Sequence, residues 1–182
     1  FPCSPLETAA FPLFPFSGRI NLGRFTWNNR AVSVSPNFPP EPHAIHGQAW
    51  LAPWQVESTS ADAARLTYFH TPDSWPWAYR ATQTIQLLKS GLKITLELEN
   101  LAGDTMPAGL GWHPYFPRRD AQLSANVSGI WVAEEGMIPD RITALDAGTD
   151  LRTPVSVDHL HLDNAFVAQP ANASLIWPSS GL

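Results

Sequence analysis

A chain of 182 residues with a formal net charge of −5 is long enough to bury a core of its own. It has no basic run, so nucleic acid and acidic membrane surfaces are poor partners, and acidic substrates are not favoured. The lone Cys3 cannot close an internal disulfide, no apolar stretch approaches a membrane span, and the first twenty residues lack a signal peptide's apolar run, so a cytoplasmic protein is expected.

The apolar run over 11–20 reaches a Ser17-Gly18 turn signal and then Arg19, whose guanidinium either pairs with a carboxylate or offers its donors to a ligand. Segments 24–27 and 30–34, joined by Asn28-Asn29, read as a hairpin, because asparagine tolerates the positive φ of a tight turn. The loop over 36–54 carries five prolines together with His43 and His46; long stiff loops without their own periodicity are often functional. A strand is expected over 63–70 and a rigid aromatic loop over 71–77. Strands over 81–88 and 92–100 flank Lys89-Ser90-Gly91. The second alternates strictly, with Leu92, Ile94, Leu96 and Leu98 on one face and Lys93, Thr95, Glu97 and Glu99 on the other, the pattern of a half-buried antiparallel strand.

His113 precedes a proline, is therefore biased toward extended backbone, and should project from the end of a strand. Gly109 and Gly111 leave room for something to approach the backbone beside it. Further strands are expected over 121–127, 130–133, 162–167 and 173–177, with 134–158 as loop. No window carries a capped helical pattern. Short strands at regular spacing, in a chain with eighteen prolines, indicate an all-β sandwich or barrel forming one domain over 1–182.

Two histidines stand in unusual settings, His46-Gly47 and His113-Pro114-Tyr115-Phe116. Imidazole titrates near neutral pH, as general acid–base work requires, although either residue taken alone is more often a hydrogen-bonded structural histidine than a catalytic one. Metal binding is the competing chemistry: His43 and His46 are three apart, and His159 and His161 share a side of a strand with Asp158 and Asp163 nearby. None of these spacings is that of a recognised metalloenzyme, so no metal site is expected. Nucleophilic catalysis lacks a Gly-x-Ser-x-Gly elbow, Cys3 has no motif around it, and there is no phosphate-cradling glycine loop. Among the eight tryptophans, Trp112, Trp75 and Trp77 are the candidates for stacking on the apolar face of a sugar, the rest filling a core.

With those residues in view, the chain resembles the aldose 1-epimerase (galactose mutarotase-like) family. The matching segments, in the family's order, are Phe11-Pro12-Leu13-Phe14-Pro15-Phe16-Ser17-Gly18-Arg19-Ile20, Gly23-Arg24-Phe25, Pro42-His43-Ala44-Ile45-His46-Gly47, Pro107-Ala108-Gly109-Leu110-Gly111-Trp112-His113-Pro114-Tyr115-Phe116 and Leu162-Asp163-Asn164-Ala165-Phe166. The resemblance implies a large antiparallel β-sandwich, a monosaccharide (aldohexose) substrate, and interconversion of α and β anomers without metal or organic cofactor. It implies further that His113 is the acid at the ring oxygen, that His46 is a second histidine near that oxygen, that Arg19 binds substrate, and that Asp163 accepts hydrogen bonds from sugar hydroxyls. The family more often has asparagine where Gly18 stands.

One departure concerns the general base, a glutamate in the family far toward the C-terminus. None of Glu7, Glu41, Glu57, Glu97, Glu99, Glu134 or Glu135 lies in a matching context, so the base is expected beyond Leu182. The strands that precede the Phe11 segment are expected to be short or absent. The sandwich is then incomplete, and a piece with acid but no base is expected to be a poor catalyst. The alternatives are a carbohydrate-binding module that has lost turnover, and a hexose-phosphate mutarotase, which requires extra cationic residues at the cleft.

Overall fold

Strands account for nearly all regular structure in the computed structural model, which describes residues 4–133 and 137–180; helix is confined to short 3₁₀ turns such as Pro5–Glu7, Asn21–Gly23 and Val157–His159. Cys3, Glu134, Glu135 and Leu182 lie outside the described residues. Two compact units divide the chain, one running to Tyr115 and the other from Phe116. No helix among the described residues is long and apolar enough to cross a membrane.

The first unit is organised by an antiparallel sheet of β6 (Gln55–Thr59), β7 (Ala63–His70), β8 (Tyr79–Leu88) and β9 (Gly91–Asn100), in that order. The alternation of β9 sets its register against β8: Ile94, Leu96 and Leu98 pair with Ile85, Gln83 and Ala81. Leu96 and Leu98 pack on a core of Phe14, Val32, Val34, Trp75, Trp77 and Tyr79, whereas Leu92, at the strand's start, is 55% exposed. On the opposite face Arg65 bridges Glu57 and Glu97, and Arg80 pairs with Glu99. Exposed pairs of this kind add little stability but keep that face wet.

Three two-stranded ladders complete the unit. The expected hairpin is β3 (Arg24–Trp27) with β4 (Arg30–Ser33), turning through Asn28 and Asn29 at φ 48 and 62. β1 (Ala10–Leu13) pairs with β10 (Gly111–Pro114), and β2 (Arg19–Ile20) with β5 (Ala44–Ile45). The last two position the candidate site.

The second unit holds two three-stranded antiparallel sheets. One is β14 (Val155–Ser156), β11 (Gln122–Ala125) and β16 (Ala173–Ile176); the other is β13 (Pro139–Thr143), β12 (Gly129–Ala133) and β15 (Phe166–Val167). Two expectations are corrected. The stretch 134–158, read as loop, contains β13 and β14, and β6 was not anticipated at all. Every residue of β6 and four of the five in β13 are exposed, so neither carries an apolar alternation to betray it.

Candidate functional site

Two ladders bring the imidazoles together. In the β1–β10 pair Phe11 lies directly across from His113, and their rings stack at 5.0 Å and 14°. In the β2–β5 pair Arg19 lies across from Ile45, so His46 leaves β5 beside Arg19. The His46 and His113 rings then meet edge to face, 5.7 Å between centroids at 69°. Trp50 stands edge-on to His46 at 6.1 Å and stacks on Phe11 at 5.3 Å, closing the aromatic wall behind the pair.

The backbone at His46 is unusual. His46 has φ 61 and Gly47 φ 70, a conformation that L side chains disfavour. At Gly47 the requirement is absolute, since a Cβ there would lie 1.8 Å from the Phe14 carbonyl oxygen. Gly18, at φ 80, meets the turn from the other side. His46 N–H donates to Gly18 O at 2.9 Å, and Gly18 N–H donates to His46 Nδ1 at 3.1 Å. With Nδ1 accepting, the neutral ring carries its proton on Nε2. Burial, then the neighbouring His113, then the Arg19 charge lower the His46 pKa to about 4, so this imidazole is neutral at physiological pH.

His113 differs: its Nδ1 is buried and has no hydrogen-bond partner among the described residues. Arg19 Nε donates to Glu41 Oε2 at 3.1 Å, so of its two sequence readings the carboxylate pairing is present. Behind it, His43 is 5% exposed, accepts from Leu22 N–H through Nδ1 at 2.9 Å, and places Nε2 3.8 Å from Glu41 Oε1. The approach expected at Gly111 comes from within the chain, where a Cβ would meet Leu13 at 2.9 Å and Ser17 at 3.0 Å.

The tryptophan expectation is corrected. Trp75 and Trp77 are 2% and 1% exposed and fill the core, their indole N–H groups spent on Met106 Sδ and Asp104 Oδ2. Their rings pack on other aromatics, Trp75 on Phe16 and Phe25 and Trp77 on Phe25. Trp112 alternates with His113 along β10 and so leaves the opposite side of the strand. The exposed ring beside the imidazoles is Tyr115, 46% exposed and 4.9 Å from His113; it follows His113 by two residues, and that spacing on an extended strand was the signal to read. Asp163 is exposed in the coil before β15 of the second unit. Glu41, Glu57, Glu97 and Glu99 are all ion-paired with arginines, and Glu7 caps the first 3₁₀ turn. Among the described residues no three histidine, cysteine or carboxylate side chains gather as a metal ion needs.

Comparison with known proteins bears on the family and the fold. The family model for aldose 1-epimerase matches residues 3–181. The uncharacterised Escherichia coli K12 protein YphB is 32% identical over 177 residues, covering 96% of this chain and 60% of that protein. The crystal structure of a candidate aldose 1-epimerase from Escherichia coli K12 superposes with a TM-score of 0.87 at 31% identity, over 97% of this chain and 61% of the other. A galactose mutarotase-like protein from Clostridium acetobutylicum superposes with a TM-score of 0.77 at 17% identity, over 93% of this chain and 58% of its own, a likeness of fold alone. The fold is the galactose mutarotase-like β-sandwich, and this chain spans about 60% of the length of such relatives.

Proposed function

The chain belongs to the aldose 1-epimerase family, and from that premise we propose that the protein carrying it interconverts the α and β anomers of a monosaccharide, with His113 as the acid. One observation carries the reading: two histidines from distant segments meet in an aromatic wall, one locked neutral and the other with a buried nitrogen that nothing in the described chain satisfies. A buried polar atom left unpaired is costly unless a ligand completes it.

The two imidazoles divide the work. His46, its Nδ1 bonded to Gly18, has only Nε2–H to offer and acts as a fixed hydrogen-bond donor to the sugar ring oxygen. His113 transfers the proton. As it protonates the ring oxygen the bond from C1 to that oxygen breaks, the C1 hydroxyl loses its proton to a base, and an open-chain aldehyde forms. Rotation about C1–C2 turns the other carbonyl face toward the ring oxygen, whose hydroxyl adds back to C1 while returning its proton to His113; the base gives its proton to the new C1 oxygen. The resemblance assigns the base to a glutamate, and Glu41, Glu57, Glu97 and Glu99 are each ion-paired with an arginine.

Tyr115 takes over the stacking role from the buried tryptophans, and Arg19, held by Glu41, donates to a sugar hydroxyl. Asp163 enters on the resemblance alone, as an acceptor for hydroxyls. A neutral aldohexose is favoured over a sugar phosphate, because the cation that acts on His46 is already paired with a carboxylate. A cytoplasmic location belongs to the same proposal, on the sequence grounds given above.

The engagement of every described glutamate favours a second reading, a carbohydrate-binding module without turnover. Polarimetry on a freshly dissolved α-anomer separates the two. Acceleration by the protein carrying this chain and its loss in His113→Asn support the epimerase; calorimetric binding of the sugar with no acceleration in that protein supports the module.

A further inference from the structure

A histidine stays in the left-handed region only where its surroundings over-determine it, and at His46 the restraining bonds converge on one side chain that belongs to neither ladder. Asn37 sits in the proline-stiffened stretch after β4. Its Oδ1 accepts from Ile45 N–H at 2.9 Å, while Nδ2 donates to Ile45 O at 2.8 Å and to Gly47 O at 2.7 Å. These groups flank His46 immediately before and after, so one carboxamide brackets the turn and uses both of its donor hydrogens in doing so. Trp50 Nε1–H adds a second bond to Ile45 O at 3.2 Å. On the far side, Gly18 closes the turn through the reciprocal pair with His46 N and Nδ1.

We infer that Asn37 is a positioning residue for His46: its carboxamide holds the 45–47 turn so that Nδ1 stays on Gly18 N–H and the Nε2–H edge is the one presented to a hydrogen-bond-accepting ligand. It acts through the backbone and touches no reacting atom. Its weight in turnover rests on the anomer-exchange reading above, but its effect on the His46 ring does not.

The test begins with the unmodified, isotope-labelled protein. Couplings transmitted through hydrogen bonds should link Asn37 Nδ2 to the carbonyl carbons of Ile45 and Gly47, and long-range proton–nitrogen spectra should show His46 as a single tautomer protonated on Nε2. Asn37→Asp keeps the shape but replaces both donors with an acceptor that faces two carbonyl oxygens; Asn37→Ala removes all three bonds. In each, the His46 nitrogens should collapse toward an exchange-averaged pair, and kcat/KM for anomer exchange should fall about tenfold, mainly in kcat. Absence of the couplings in the wild type overturns the inference whether or not a variant folds. So does an Asn37→Asp protein with unchanged β8 and β9 amide signals in which His46 keeps one tautomer. A changed tautomer in a protein whose wild type exchanges no anomers leaves the positioning role standing and removes the epimerase reading instead.

Discussion

Replacing His46 with glutamine should flatten the acid side of the stability profile. In the folded protein burial, His113 and Arg19 together lower the His46 pKa from its ordinary 6.5 to about 4. Between those values the unfolded chain binds a proton that the folded one refuses, so stability falls as pH drops through this window. The contribution is fully present above 6.5 and is gone once the pH passes below about 4. At about 1.36 kcal/mol for each pH unit, the gap corresponds to about 3 kcal/mol, a sizeable part of the 5–15 kcal/mol typical of a folded domain. Urea unfolding from about pH 7.5 down to about pH 4 measures it, with His46→Gln removing the titrating group and leaving all others. The wild type should lose about 3 kcal/mol more than the variant over that range. Equal losses in the two proteins would refute the reasoning, as would an NMR titration that places the His46 midpoint near 6.5.

Three further outcomes follow from the same geometry. Gly47→Ala places a Cβ against the Phe14 carbonyl in a left-handed backbone and should cost at least about 2 kcal/mol, whereas Gly91→Ala, which meets nothing within 4 Å, should stay within about 0.5 kcal/mol by thermal unfolding. Trp75→Ala should lower stability by about 3–5 kcal/mol, while Tyr115→Ala should leave the melting temperature nearly unchanged and raise KM for the sugar, a contrast that reverses if Trp75 is the stacking ring. Arg19→Met removes a charge that opposes protonation of His46, so the His46 titration should move upward from about 4; a downward or absent shift in the NMR titration contradicts the proximity of the two groups.

The sequence was most readable where one periodicity had one physical cause. The alternation of β9 specified an antiparallel strand against β8 because one face had to be buried, and Asn28-Asn29 specified a hairpin because two consecutive residues had to adopt positive φ. The meeting of His46 with His113 was implied only by the family resemblance: each sits beside a turn or a proline, but the ladders that join them, β1–β10 and β2–β5, pair residues far apart in the chain. The tryptophans of the 71–77 loop misled because composition does not distinguish a ring that fills a core from one that lines a cleft; burial and the partners on the indole nitrogens decide it. Asn37 was invisible for a related reason, since its bonds go to main-chain groups that every residue carries.

The central claim is that a proton moves between His113 and a sugar ring oxygen beside a neutral His46. Magnetisation exchange between the α and β anomeric protons of an aldohexose, recorded at anomeric equilibrium, reads that event without any change in bulk composition. The protein carrying this chain should speed the exchange, and His113→Asn in that protein should slow it at least about a hundredfold while the sugar still binds. An unaltered exchange rate in a folded His113→Asn protein would contradict the account.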